Sequence, residues 1–395
     1  MRIYVTGIGT VNAVGCNVAD TLHSLLHGVT GISVVEYLQT IYNQMPVGEV
    51  KHTNRELALM AGVSPSENLV RTPLLGLIAA REAVSNAHLS NASGLRMAFV
   101  SGTTVGGMDV MEKYYDDFTH NDSKNSFLYP HDIGDSSEYI ADHIGGFSYV
   151  TSISTACSSG ANAIILGAEL IRSGRFDIVV AGGAESLSRY HFNGFNTLKI
   201  LDSEHCRPFD ASRAGLNLGE GAGYVVMESE NSVALRKSTP LCRLTGYANA
   251  CDAFHQTATS SNGEGPYLAM AKAIESANLL PSDITYINAH GTGTPNNDLT
   301  ESVALRRIFN GSLPLVSSTK AYTGHATSAA GAIEAVFAVM CIKYGFCPAS
   351  LNFQNPIPET GIVPVTTTVE TDVYNVLSNS FGFGGNDSSL IFSKL

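Results

Sequence analysis

The sequence predicts an α/β protein made of two similar halves. Three observations lead there: an apolar and sparsely charged composition, strands that alternate with helices, and internal matches that recur in one order. Hydrophobic residues make up 44% of the 395 and charged residues 15%. That balance suits elements buried on both faces and is the reverse of what intrinsic disorder needs. The length predicts two or three domains, or one double unit. The 38 Gly and 14 Pro are scattered without period, which excludes collagen-like and low-complexity chains.

Taken in chain order, residues 3–7 (IYVTG) are strand-like and end in Thr-Gly, as do 242–246 (CRLTG). Residues 82–89 (EAVSNAHL) close an amphipathic helix, as do 272–279 (KAIESANL). Residues 97–103 (MAFVSGT) and 286–292 (YINAHGT) are buried strands breaking into a Gly-Thr loop. Residues 157–170 and 325–338 are small-residue helices, and 219–228 matches 384–393 as a glycine-led strand. The shared order predicts a duplication with halves 1–236 and 237–395 and mostly parallel sheets covered on both faces. The helices after Cys157 and His325 are apolar all round, so they are expected in the central layer. Residues 107–150 and 186–215 are polar insertions of the first half. Long insertions in compact domains tend to serve function or to meet a partner.

The net charge of −12 and pI near 5.4 argue against a nucleic-acid binder, which would carry a basic excess. Seven cysteines with no CxxC or Cys/His zinc spacing read as free thiols of a reducing compartment. The start, MRIYVTGIGTVNAVG, lacks a basic-then-apolar signal and opens directly on a strand. No run of about 18 apolar residues stands out as a membrane span. The expectation is a soluble cytoplasmic protein.

One cysteine stands apart. An alternating strand runs into TACSSGANA, which places Cys157 at the head of a helix. There the unpaired N–H groups and the helix dipole are expected to lower its pKa. His290 (in INAHGTGTP) and His325 (in KAYTGHATS) each stand where a strand gives way to a loop or helix. In parallel sheets such ends converge on one ligand site. A Cys and two His can also bind zinc, yet no close ligand pair anchors a metal. Lys320 and Glu334 lie in uncharged surroundings where each alone would be costly, so a mutual ion pair is expected. Glu301 and Asp298 follow the His290 loop and either orient it or cap the next helix. The tail NSFGFGGND places Phe381 and Phe383 among glycines whose backbone N–H groups can serve an oxyanion. The early GIGTVN lacks the third glycine of a dinucleotide loop and is rejected as one.

Taken together, VTGIGTVNAVG, SISTACSSGANA, DIVVAGGAES, RPFD, LGEGAGYVVME, YINAHGTGTPNND, SSTKAYTGHATSAAGAIEA and NSFGFGGNDSSLIF span residues 3–393. They resemble the β-ketoacyl-acyl carrier protein synthases, most of all the elongating, Cys-His-His type of bacterial fatty acid synthesis. The resemblance implies the thiolase-like duplicated fold, layered α-β-α-β-α, with two mixed, mostly parallel sheets around buried central helices. It implies Cys157 as nucleophile, His290 and His325 as catalytic histidines, Lys320 as the active-site lysine, and Glu334 and Glu301 as supporting acids. It further implies Phe383 as a gate, an oxyanion hole from the N–H groups of Cys157 and Phe383, and Thr292 and Thr294 against the pantetheine arm. Phe381 lies with them as a substrate-binding residue, and Val105 limits the acyl tunnel. Arg207 and Lys124 match basic carrier-protein positions. The implied reaction is decarboxylative condensation of an acyl-enzyme with malonyl-acyl carrier protein, with no metal or redox cofactor. The implied assembly is a homodimer joined through a sheet edge near residues 177–181.

The sequence departs from that pattern in three places. Asn386-Asp387 follow GFGG where the family has Thr-Asn or Asn-Asn. The stretch SENLVRTP before and after Arg71 lacks a basic cluster, and the insertion before RPFD is short. Two other readings are carried along. A non-catalytic chain-length-setting partner subunit would lack the nucleophile, whereas Cys157, His290 and His325 are all present. A thiolase would use a second cysteine near the C-terminus, whereas the last here is Cys347.

Overall fold

The computed structural model describes residues 1–395 apart from 66–68, 90–91, 119, 121–124 and 126; Lys124 therefore lies outside the described residues. Ten strands form the main sheet: β1 (Ile3–Asn12), β2 (Met97–Gly102), β3 (Tyr149–Ile153), β4 (Ile178–Glu185), β5 (Gly221–Ser229), β6 (Cys242–Cys251), β7 (Tyr286–Asn288), β8 (Leu315–Ser317), β9 (Asn375–Gly382) and β10 (Asn386–Ser393). Their spatial order is β8-β7-β9-β10-β6-β1-β5-β4-β2-β3.

The order reads as one pattern used twice. From β1 outward, β1·β5 and β5·β4 are antiparallel, while β4·β2 and β2·β3 are parallel. From β6 outward, β6·β10 and β10·β9 are antiparallel, while β9·β7 and β7·β8 are parallel. Every sequence match quoted above for these strands falls on an equivalent pair. Parallel and antiparallel pairings are thus even within each five-stranded unit. The two units are also hydrogen-bonded to each other, because β1 pairs antiparallel with β6 over three residues beginning at Ile3 and Leu244.

Five helices complete the layers: α1 (Arg71–Asn86), α2 (Ser159–Arg172), α3 (Glu264–Ser276), α4 (Pro295–Phe309) and α5 (Ala330–Tyr344). α1 covers β1, β5 and β4 from outside, and α3 covers β6 and β10. α2 and α5 lie between the units, where α5 is buried from Ala330 to Ile342. Thr327–Tyr344 is long and apolar enough to cross a membrane, but 89% of it is enclosed by the rest of the protein. It is a core helix, an apolar stretch of span length that the sequence reading did not single out.

The two central helices cross at their small residues. A methyl group on Gly160 would lie 2.8 Å from Ala332 Cβ, and one on Gly331 would lie 3.1 Å from Ala161 Cβ. This reciprocal contact sets the register of the repeat. It makes Ser328, not His325, the counterpart of Cys157. The backbone agrees, since Ala156 (φ 51°) and Thr327 (φ 42°) are left-handed at matching places. The sequence match had aligned His325 with Cys157, three residues off, because small residues alone do not fix a helical register.

Candidate functional site

The site is built where strand ends of both units meet the heads of α2 and α5. Cys157 sits in the tight turn between β3 and α2. Ala156, a non-glycine residue, takes the left-handed conformation there, at a cost of about 1–3 kcal/mol. The following serines hold the turn. Ser158 Oγ donates to the Thr155 carbonyl (2.7 Å), Ser159 Oγ donates to the Ala156 carbonyl (2.6 Å), and the Thr155 N–H donates to Ser159 Oγ (2.9 Å). The sulfur is thereby projected into a cavity of about 300 Å³.

Cys157 is 5% exposed. Burial pushes its thiol up to about 11, against the N–H groups of Phe383 and of Cys157 itself and the charge of Lys320, which pull it down. The sequence expectation was a lowered value. It counted the helix head and not the enclosure, and enclosure outweighs it. The Phe383 and Cys157 N–H groups that pull the thiol down are the two that the resemblance implies as an oxyanion pair.

His290 and His325 share the cavity with Cys157. Their rings lie 5.3 Å apart, edge to face. Burial first, then the charge of Lys320, drives both well below the usual imidazole value. Both rings are therefore neutral at physiological pH. The Nδ1 atom of each is buried with no hydrogen-bond partner among the described residues. The backbone fixes their places. The His325 N–H donates to the Asn217 carbonyl (2.7 Å), and its carbonyl accepts from the Gly219 N–H (3.0 Å). The His290 and Gly291 N–H groups donate to the two oxygens of Glu301 (2.9 and 2.8 Å).

Glu301 is thus a clamp on the His290 loop. Asp298 works alike, accepting from the Gly293 and Phe209 N–H groups. Neither caps α4, whose N-cap Thr294 makes no side-chain cap bond. Asn379 Nδ2 also donates to Glu301 (3.1 Å), and burial raises this acid to about 7. Lys320 and Glu334 form the expected pair at 2.5 Å, both buried. The Lys320 charge adds to the burial that already keeps both histidines neutral.

Thr292, Thr294, Phe381 and Phe383 all line the cavity, with Phe195, Lys199 and Thr257–Thr259 on the facing wall. Thr292 and Thr294 are hydrogen-bonded to each other (2.9 Å), and Phe383 stacks on Phe195 at 5.9 Å. Val105 and Arg207 are not among the lining residues. Val105 is buried in the loop after β2. Arg207 bonds to Asp202 (3.0 Å) and Glu204 (2.5 Å). Arg71 is no surface cation, since its guanidinium is buried against Glu220 through Nε (2.8 Å) and Nη2 (2.6 Å). A larger hollow of about 620 Å³ lies against that pair, and among the described residues no thiol or imidazole lines it.

Three contributors have no role assigned from the sequence. Asn386 Oδ1 accepts from Asn162 Nδ2 (2.8 Å) and Asn249 Nδ2 (2.7 Å) and lies 2.8 Å from Ser158 Oγ, tying the glycine turn to the nucleophile turn. Glu185 accepts from Thr103, Thr104 and Ser328, joining the loop after β2 to the head of α5. Its signal was legible: one acid ending an otherwise apolar strand. Lys199, in an insertion without periodicity, gave none. Among the described residues no group of three or more His, Cys, Asp or Glu is arranged to hold a metal ion.

Comparison with known proteins agrees with this site. Residues 1–232 match the profile of the beta-ketoacyl synthase N-terminal domain, and residues 241–354 that of its C-terminal domain. The chain is 32% identical to the 3-oxoacyl-[acyl-carrier-protein] synthase 2 of Staphylococcus aureus (strain MRSA252) over 410 residues, covering 100% of this chain and 98% of that protein. It is equally similar, 32% over 409 residues, to the synthase 2 of Synechocystis sp., with 100% and 98% covered. Among solved structures, the ishigamide ketosynthase/chain length factor superposes with a TM-score of 0.93 at 30% identity, covering 100% and 99% of the two chains. A type II polyketide ketosynthase in complex with its acyl carrier protein (AntDE:AntF) gives 0.88 at 26%, with the same coverage. Motifs, fold and site converge with these matches, and the chain belongs to the β-ketoacyl synthase family.

Proposed function

We propose that this chain is an acyltransferase that condenses an acyl group held on Cys157 with malonyl-acyl carrier protein, giving a 3-oxoacyl-acyl carrier protein two carbons longer, in fatty acid or polyketide synthesis. The observation that carries the reading is that Cys157, His290, His325 and the glycine turn of Phe383 line one cavity. In the first step the sulfur attacks the acyl thioester on the carrier's pantetheine. The Cys157 S–H bond is lost and a pantetheine S–H is formed, so the exchange is neutral overall. The Cys157 and Phe383 N–H groups steady the oxyanion. In the second, malonyl thioester loses CO₂ and its electron pair passes to an enolate. His290 and His325, neutral, each donate one N–H to that oxygen. The enolate carbon then attacks the acyl-Cys carbonyl and releases the thiolate.

In this reading Lys320 acts through the histidines, Glu334 balances its charge, and Glu301 holds His290 in place. Thr292 and Thr294 meet the pantetheine arm, Phe381 and Phe383 flank the acyl group, and Val105 bounds the far end of the tunnel. Arg207 serves the carrier protein by exchanging its exposed partner Glu204, 69% accessible, for an acid of the carrier. The halves 1–236 and 237–395 are the products of duplication. The reaction uses no cofactor of its own, and the seven free thiols fit a cytoplasmic setting. The chain pairs through a sheet edge with a second copy of itself. A second reading of the assembly, pairing with a chain-length factor, is favoured by the ishigamide and ApeO structures, both described as ketosynthases with such a partner.

The test separates the two half-reactions. Cys157→Ala should abolish condensation and retain malonyl decarboxylation. Removing either imidazole should lower decarboxylation by about 10²-fold or more, as loss of an oxyanion donor does. Full condensing activity in Cys157→Ala would sink the mechanism.

A further inference from the structure

The turn that carries Phe383 is held on one side by the irregular segment 252–263. The Gly384 N–H donates to the Gln256 carbonyl (2.7 Å), and the Asp252 N–H donates to the Gly385 carbonyl (2.9 Å). Thr257, Ala258 and Thr259 of that segment and residues 381–385 are walls of the same cavity. How these two pieces seat against each other therefore sets the position of the Phe383 N–H over Cys157.

Asp387 lies at their junction. It stands directly opposite Phe381 in the β9·β10 ladder, so both side chains leave the same face of the sheet. It is 2% exposed, and its Oδ2 has no hydrogen-bond partner among the described residues. That oxygen fills the space above the start of α3, where a methyl group on Gly265 would lie 2.1 Å from it and 2.7 Å from Asp252 Cβ. Ionised Asp252 brings it no donor. Its oxygens already accept from the Ser260 N–H (2.7 Å), Ser260 Oγ (2.6 Å) and the Gly265 N–H (2.9 Å).

The other charged groups around it give no relief. Glu301 on α4 is a second acid. Glu264 at the head of α3 turns outward to Arg307 (2.9 Å). Glu334 on α5 is taken by Lys320, and His255 in the segment is exposed at the surface. Burial, and then the charges of Asp252 and Glu301, push Asp387 up to about 8.

We propose that Asp387 is a positioning residue of the turn: while protonated it lets residues 382–386 seat against residues 252–263, and once ionised beside Asp252 it unseats them and withdraws the Phe383 N–H from Cys157. The acyl substrate in this inference rests on the condensing-enzyme reading; the geometry does not. A neutral Asn at 387 would keep the shape and remove the charge, which is how Asn differs from Asp here.

The experiment follows acylation of Cys157 by a hexanoyl-pantetheine thioester, read by intact mass, across pH values on both sides of about 8. Dividing by the rate of iodoacetamide alkylation at the same pH cancels the ionisation of the thiol. The wild-type ratio should fall by about 10²-fold or more as pH rises, the lower end of the range for losing an oxyanion donor. Asp387→Asn should show a level ratio. Identical profiles in the two proteins overturn the proposal. Hydrogen exchange of the 382–386 amides, corrected for their intrinsic pH dependence, supplies the second measurement. Protection in the wild type should drop through the same pH, and unchanged protection overturns the proposal even where Asp387→Asn does not fold. Absence of any acylation of the wild type would instead count against the condensing reading, with hydrogen exchange still deciding the role of Asp387.

Discussion

Cys157 shows how far a residue's chemistry depends on what encloses it. Read along the chain, a thiol at a helix head should be acidic. In the folded protein it is held up to about 11 by burial, and the Phe383 N–H and Lys320 only soften that. Alkylation needs thiolate, so its rate at Cys157 should climb about tenfold per pH unit through neutrality and level off only near 11. A plateau near the free-cysteine value of about 8.5 would show that the donors win. The sign for stability is consistent. A group raised in the folded state contributes stability below its unfolded value, and that stability is lost as pH rises toward 11. The Lys320–Glu334 pair was legible because two lone charges in apolar sequence need each other. Glu301 and Asp298 were legible as neighbours of His290, but their choice of loop amides over the helix end was not. That choice depends on where the loop folds back.

At the scale of elements, the repeat is a repeat of close contacts. A methyl group on Gly7 would meet the Ala83 carbonyl oxygen at 2.2 Å and Ala87 Cβ at 2.8 Å; on Gly246 it would meet the Ala273 oxygen at 2.4 Å and Ala277 Cβ at 2.7 Å. The Thr-Gly endings noticed in the sequence are thus the points where α1 and α3 lie on their strands. Gly7→Ala and Gly246→Ala should each destabilise by about 1–3 kcal/mol, as overpacking does. Gly194→Ala, with nothing near its position and inside the helix Arg189–Thr197, should be neutral or stabilising by up to about 1 kcal/mol. Thermal melting of the three variants checks this. Equal melting temperatures for Gly7→Ala and Gly194→Ala would remove the close approach as the reason for the glycine. The crossing of α2 and α5 through Gly160 and Gly331 is the same device, and it carries Cys157 and the loop of His325 into one place.

At the scale of the whole molecule, the strand order corrects the expected dimer edge. Residues 177–181 belong to the region of β4, which is interior between β5 and β2. The open edge of the first unit is β3, half-buried along its whole length and leading straight into Cys157. An unpaired edge of this kind invites another strand. Sedimentation of the pure chain should therefore give a dimer, disrupted by Thr151→Lys on that edge. A monomer that pairs only with a chain-length-factor-like subunit would select the second reading of the assembly. A monomer active alone would overturn both.

Whatever depends on neighbours in the chain could be read from the residues alone. This covers the alternation of strand and helix, the order of the repeat, the glycines that permit contact, and the residue types able to do chemistry. Cys157, His290, His325 and the turn of Phe383 could be named because each sits at a recognisable strand end. Tertiary structure decided what depends on distance and enclosure. It joined the two units through β1 and β6, put β3 rather than β4 at the edge, and set the true helical register of α2 against α5. It also decided protonation, raising Cys157, Glu301 and Asp387 and lowering both histidines. The physical reason is that the desolvation and partner charges which govern protonation come from elements far away in sequence, and only the packed fold brings them to the site.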